Sequence, residues 1–119
     1  MPVNTSSSRS AYPKIMTHLQ TLRANLAQAR AALMHFKADR LDRDKLEPAA
    51  RRVDDLMNMF ASNLRSAEQS GRWVAEIQSG IDQVSNPKAA EALGEARIDI
   101  AALLDALGSE ATAGRRASN

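Results

Sequence analysis

The sequence predicts an all-α fold, an up-down bundle of three to four helices over about residues 13–38, 47–70, 72–84 and 87–107. Two observations predict it. Large apolar residues recur in alternating steps of four and three in three separate segments, the 3.5-residue period of helices lying side by side. Proline and glycine stand where helices open and close, with Pro13, Pro48 and Pro87 at opening positions and Gly71 and Gly108 at stops.

The first seam is Ile15, Leu19, Leu22, Leu26, Ala29, Leu33 and Phe36. It defines a straight helix from Pro13 to about Ala38 with one apolar stripe. Residues 1–12 are Ser-rich, with only Val3 and Tyr12 to bury, and read as a disordered arm. Asp39 to Lys45 is a run of charges around a single Leu41 and reads as a helix-to-helix corner. A second helix then opens at Glu47-Pro48, although Asp42 or Asp44 would suit as the cap of an earlier start. Its seam is Leu46, Ala50, Val53, Met57, Phe60, Leu64 and Ala67, widened by Leu56.

Ser70-Gly71 is read as the stop of that helix, leaving a third over 72–84 with Trp73 at its start. A single helix from Pro48 to Val84, distorted at Gly71 and Gly80, is the alternative. Ser85-Asn86-Pro87 is the clearest punctuation: Asn86 can accept from the first free amides and Pro87 suits the first helical position. The last helix carries Ala89, Leu93, Ala96, Ile100, Leu103 and Leu107, with Ile98 and Leu104 read as broadening the stripe and Gly108 closing it. Residues 13–108 form one domain and residues 109–119 read as a disordered tail. The repeated 3.5-residue period predicts shallow left-handed crossings, with no sequence repeat beneath it.

Composition bounds the function. A chain of 119 residues has room for one domain, and 22 of them are Ala. Burying Ala contributes little beside the roughly 1.5–3 kcal/mol of a buried Leu or Ile. Either the helices approach closely over small residues, or a second chain supplies part of the apolar cover. The absence of Cys excludes disulfides and thiolate metal sites. No apolar run approaches the ~18 residues of a membrane span, and no hydrophobic segment follows a basic start. A cytoplasmic location is expected.

The net charge of +2 hides an uneven distribution. Residues 1–38 carry +5 with no acid, residues 39–76 carry −1, residues 77–108 carry −3 and the remainder +1. On the first helix Arg23, Arg30 and Lys37 stand seven apart beside the seam. Such a line can follow a phosphate backbone, pair with acids on a neighbouring helix, or cover the seam edge with its long stems. On the last helix Glu91, Glu95 and Asp99 stand four apart, and their expected role is to face the basic line within the bundle or in a second copy.

No constellation points to catalysis. The acidic stripe lacks the Glu-x-x-His of a metal-binding bundle. His18 and His35 are too far apart to share an ion, and Asp54 and Asp55 diverge on a helix. No nucleophile stands beside a base, so no enzyme, metal, cofactor or small-molecule substrate is expected. Met59, off the seam, and Trp73, at the suspected bend, are candidates for contact with a partner.

The expected function is a non-enzymatic helical interaction module (an adaptor, small chaperone or assembly subunit) that binds another protein or itself. Its candidate contacts are Met59, Trp73, Arg23, Arg30 and Lys37, with Glu91, Glu95 and Asp99 as the complementary face. The alternative is a helical subunit of a nucleoprotein complex that contacts phosphates through the first helix. Attachment to a membrane surface is weakened by Gln20, Thr21, Asn25 and Gln28 on that helix.

Overall fold

The computed structural model describes residues 12–33, 40–62 and 66–118, with side chains as far as 108. Four α-helices pack against each other: α1 Tyr12–Ala32, α2 Arg40–Ala61, α3 Ala67–Asp82 and α4 Ala90–Ser118. A 3-10 turn, Pro87–Ala89, leads into α4, and no strand occurs among the described residues. The all-α bundle expected from the seams is therefore what the chain forms.

Contacts between neighbours give the topology. Arg43 of α2 donates to the Leu33 carbonyl at the end of α1, while Asp54, further along α2, meets Arg23, further back along α1. The two helices thus run antiparallel. The same holds for α2 and α3, where Lys45 reaches Gln83 and Arg52 reaches Glu76. α1 packs most extensively on α4, and α2 on α3; α1 also packs on α2, and the α3–α4 contact is the slightest of the four. The particle is elongated, 56 × 24 × 20 Å.

The first seam is the spine of the core. Ile15, Leu19, Leu22, Leu26, Ala29 and Leu33 are each fully buried, and Phe36 lies outside the described residues. In α4 the stripe is Leu93, Ala96, Ile100, Leu103 and Ala106, continuing Ala89 of the turn. In α3 it is Ser70, Val74, Ile77 and Ile81, followed by Val84. Alanines and glycines at these contacts answer the question of the thin core. Ala29, Ala49, Ala89 and Ala96 are all buried. A Cβ on Gly80 would stand 3.1 Å from the Lys45 carbonyl oxygen and 3.2 Å from the Ala49 Cβ. The helices approach closely over small residues.

Four boundaries differ from the sequence reading. α2 begins at Arg40, so the charged corner is helical and Pro48 lies inside the helix. Its charges satisfy one another one turn apart: Arg40–Asp44 at 3.9 Å, Lys45–Asp42 at 3.5 Å and Arg51–Glu47 at 3.7 Å. Leu46, fully buried before the proline, anchors the added turns to the core. The break between α2 and α3 is real but falls before Ser66, not at Gly71, which excludes one continuous helix. Ser66 caps α3: its hydroxyl accepts from the Gln69 amide at 3.1 Å, and Ser66-x-x-Gln69 has the spacing of a capping box. Ser70, placed at the stop, is instead a buried residue of α3 whose hydroxyl donates to the Ser66 carbonyl at 2.7 Å.

At the other end, Asn86 accepts from the Lys88 amide at 3.0 Å and Pro87 follows it, as the sequence indicates. Gly108 does not stop α4, whose backbone remains helical to Ser118. The phase of α2 also departs from expectation. Ala49, Leu56 and Met59 are buried where Ala50 and Met57 are only half-buried and Ala67 is exposed. α2 has two neighbours, and the turn toward α3 brings Ala49 against Gly80. Leu64, and the arm before Tyr12, lie outside the described residues.

Three substitutions test these assignments in urea unfolding followed by circular dichroism. Gly71 is interior to α3 and a Cβ there meets nothing within 4 Å, so Gly71→Ala is expected to stabilise the chain by about 0.5–1 kcal/mol. Gly80→Val forces the α2 and α3 backbones apart and is expected to destabilise it by about 1–3 kcal/mol. Ser66→Ala removes the α3 cap at a cost of about 1 kcal/mol.

Candidate interaction surface

The residues singled out by the sequence are not brought to one place. Arg23 is exposed and pairs at 3.4 Å with Asp54 of α2, not with the acidic stripe of α4. Arg30 is half-buried on the same flank of α1, and Lys37 lies outside the described residues. Glu91 and Glu95 are exposed, and Asp99 is half-buried, accepting from the Asn25 side-chain amide at 2.6 Å. The expected pairing of the basic line with the acidic stripe inside the bundle is therefore corrected. α1 turns one flank to each neighbour, and its arginine flank faces α2 while Asn25 faces α4. Arg40 likewise is engaged with Asp44.

Met59 is corrected too: it is buried, because the α2 stripe turns toward α3. It does meet Trp73, which sequence reading had kept separate. Asp55, Asn58, Met59, Ser62 and Trp73 line an open groove of about 410 Å³ at the junction of α2 and α3. One wall of this groove is locked by Arg52. Its guanidinium approaches Asp55 at 3.1 Å and Glu76 at 2.9 Å, and sits 5.5 Å from the centre of the Trp73 ring. The Glu76 and Trp73 contacts clasp α2 to α3 and hold the indole half-buried, while the Asp55 pair, within α2, orients the guanidinium. An exposed cation–π contact contributes about 0.5–1 kcal/mol and an exposed ion pair about 0–1.

The outward side of α4 is the feature that sequence reading missed. Ile98 and Leu104, assigned to the core stripe, are 63% and 45% exposed. Ile98 lies two positions from both Ala96 and Ile100, about 200° around the helix, so it points away from the core that they enter. The signal was present in that spacing. Between them Ala101 is exposed, and beside them stand Arg97 and Asp105, both exposed. Arg97 touches Asp82 of α3 at 3.4 Å with both side chains about half-exposed, whereas Asp105 forms no ion pair among the described residues. Leu41, at the start of α2, is a third exposed large apolar residue and stands apart.

Among the described residues no group of three or more His, Cys, Asp or Glu is placed to hold a metal ion, and no helix is long and apolar enough to cross a membrane. Comparison with protein-family models, curated proteins and solved structures gives no match.

Arg52→Ala is expected to destabilise the chain by about 1 kcal/mol and to shift the emission of Trp73, its single fluorescent indole. Arg52→Lys restores the charge without the planar fork and should recover only part of the loss, measured by unfolding and by tryptophan fluorescence.

Proposed function

We propose that the chain is a non-enzymatic helical interaction module that binds another protein, or itself, through the outward side of α4. One observation carries this reading: Ile98 and Leu104 are exposed on a helix whose core stripe is complete without them. Leaving both in water forgoes apolar burial worth about 1.5–3 kcal/mol for each such side chain. They stand about 120° apart, at the two edges of one side of α4 centred on Ala101, and an apolar side of that width suits a docking face better than a solvated one. The acidic residues Glu91 and Glu95 at the start of α4 extend that face with a polar rim.

The nucleoprotein alternative is weaker. Arg23 and Arg40 each face a carboxylate of the chain itself, so a phosphate would have to displace an internal partner. The groove beside Trp73 is a second possible contact, but its indole is already engaged by Arg52. The lack of Cys suits a reducing compartment, in keeping with a cytoplasmic protein.

The test is a gentle purification of the full chain from its source, with light scattering to give the mass. Association above 12.9 kDa, or one co-purifying protein released by Ile98→Asp with Leu104→Asp, is the expected result. A strictly monomeric chain that retains nothing overturns the reading. Retention on nucleic acid that weakens steeply with salt and is abolished by Arg23→Ala with Arg30→Ala would favour the alternative.

A further inference from the structure

The outward side of α4 is self-complementary. Counting from Ala101, three residues in one direction lead to Ile98 and three in the other to Leu104. Four residues lead to Arg97 on one side and Asp105 on the other, and seven lead to Gly94 and Gly108. All seven positions lie within about 60° of one line along the helix, at 100° per residue. When two copies of such a helix lie antiparallel about a two-fold axis through Ala101, each residue meets the one at equal distance on the far side. Ile98 then faces Leu104 of the other copy, and Arg97 faces its Asp105, each twice over.

From this geometry we infer that the outward side of α4 binds a second copy of the same chain, antiparallel, with the two-fold axis at Ala101. This rests on the reading of α4 as a docking face and names its occupant. Charge sets the orientation. Arg97 already meets Asp82 through Nε at 3.4 Å, and its terminal nitrogens are left for a second carboxylate. The antiparallel arrangement brings Asp105 of the other copy to them, twice over, whereas a parallel one puts Arg97 on Arg97 and Asp105 on Asp105. Apolar residues agree with the charges, since the two large exposed side chains of α4 cover each other. Gly94 and Gly108, at the ends of this side, leave room for a second helix, since a Cβ on either would meet nothing within 4 Å. The location suits it as well, because this side of α4 borders α3, where the bundle's own packing is slightest. A contact over four turns of helix belongs to the small class of interfaces below about 1,200 Å², so the dimer exchanges with the monomer.

The full chain has no Cys, which makes a direct test available. Ala101→Cys places one thiol beside the axis and is expected to give a disulfide-linked dimer on mild oxidation, while Ala27→Cys on the outer side of α1 is not. Sedimentation of the unmodified chain should show a reversible dimer whose Kd rises roughly tenfold or more with Ile98→Asp. Arg97→Asp alone should weaken the dimer and Arg97→Asp with Asp105→Arg should restore it, an outcome that a purely structural role for Arg97 does not give. A monomer at every concentration overturns the dimer, as does a dimer that persists with Ile98→Asp and fails to cross-link through Ala101→Cys. If the chain is monomeric yet a different protein binds it through Ile98 and Leu104, the dimer falls and the docking face stands.

Discussion

Along α1 and Leu33 just past its end, six residues on a single stripe are removed entirely from water, and no other stripe among the described residues is buried so continuously. A stripe this narrow cannot be covered by a loop, whose backbone groups would need partners of their own. It needs the side of another helix at a shallow angle, and it needs more than one because the stripe residues themselves are left no exposure on either side. α4 and α2 supply them. Everything else in the fold follows from where those two helices must lie: α2 needs a third helix on its far side, and α3 provides it. Small residues set the spacing. Ala29, Ala89 and Ala96 in the core, and Gly80 against Ala49, let the backbones come close enough for a chain with few large side chains to close its interior.

Charge plays the complementary part, holding helix ends and not the core. Arg43 donates to the last carbonyls of α1 through Leu33, where the helix dipole favours a cation. Lys45 does the same at the end of α3 through Gln83. Both lie in the first two turns of α2, so a segment that looks too polar for regular structure closes two helix ends at once. Pro48 is tolerated because the turns before it are held by these contacts and by Leu46 beneath them.

The seams of α1 and α4 were legible because a four-three period is a property of the chain alone. What was not legible depended on a neighbour. The phase of α2 was misjudged at Ala49 and Met59, since two flanking helices broaden a stripe toward whichever lies closer. The charged run gave the signal of a loop, and over residues 40–45 the distant carbonyls of Leu33 and Gln83 help to hold it as helix. Ser66-x-x-Gln69 was readable as a cap, but the break was placed at Gly71, which is an ordinary interior position. The same distinction applies to the surface. Nothing in the order of residues says that Arg23 meets Asp54 before it can reach Glu91 or Glu95. The exposure of Ile98, by contrast, follows from its place between Ala96 and Ile100, once the stripe is taken as narrow.

α2 shows how this chain builds a helix side meant for water. Apart from the exposed Leu41, its outward positions carry Arg40, Asp44, Glu47 and Arg51, paired one turn apart, as a solvated face does. α4 is treated differently over a comparable length. Between Arg97 and Asp105 its outward positions are Ile98, Ala101, Ala102 and Leu104, with no pair of charges within the helix. One sequence thus contains both solutions, and the difference between them is not imposed by helix formation, because charged residues serve α2 equally well. Nor does the core need it, since the α4 stripe is complete without Ile98 and Leu104. The proposed second chain would give this apolar edge a use, at a place where the contact with α3 is slight.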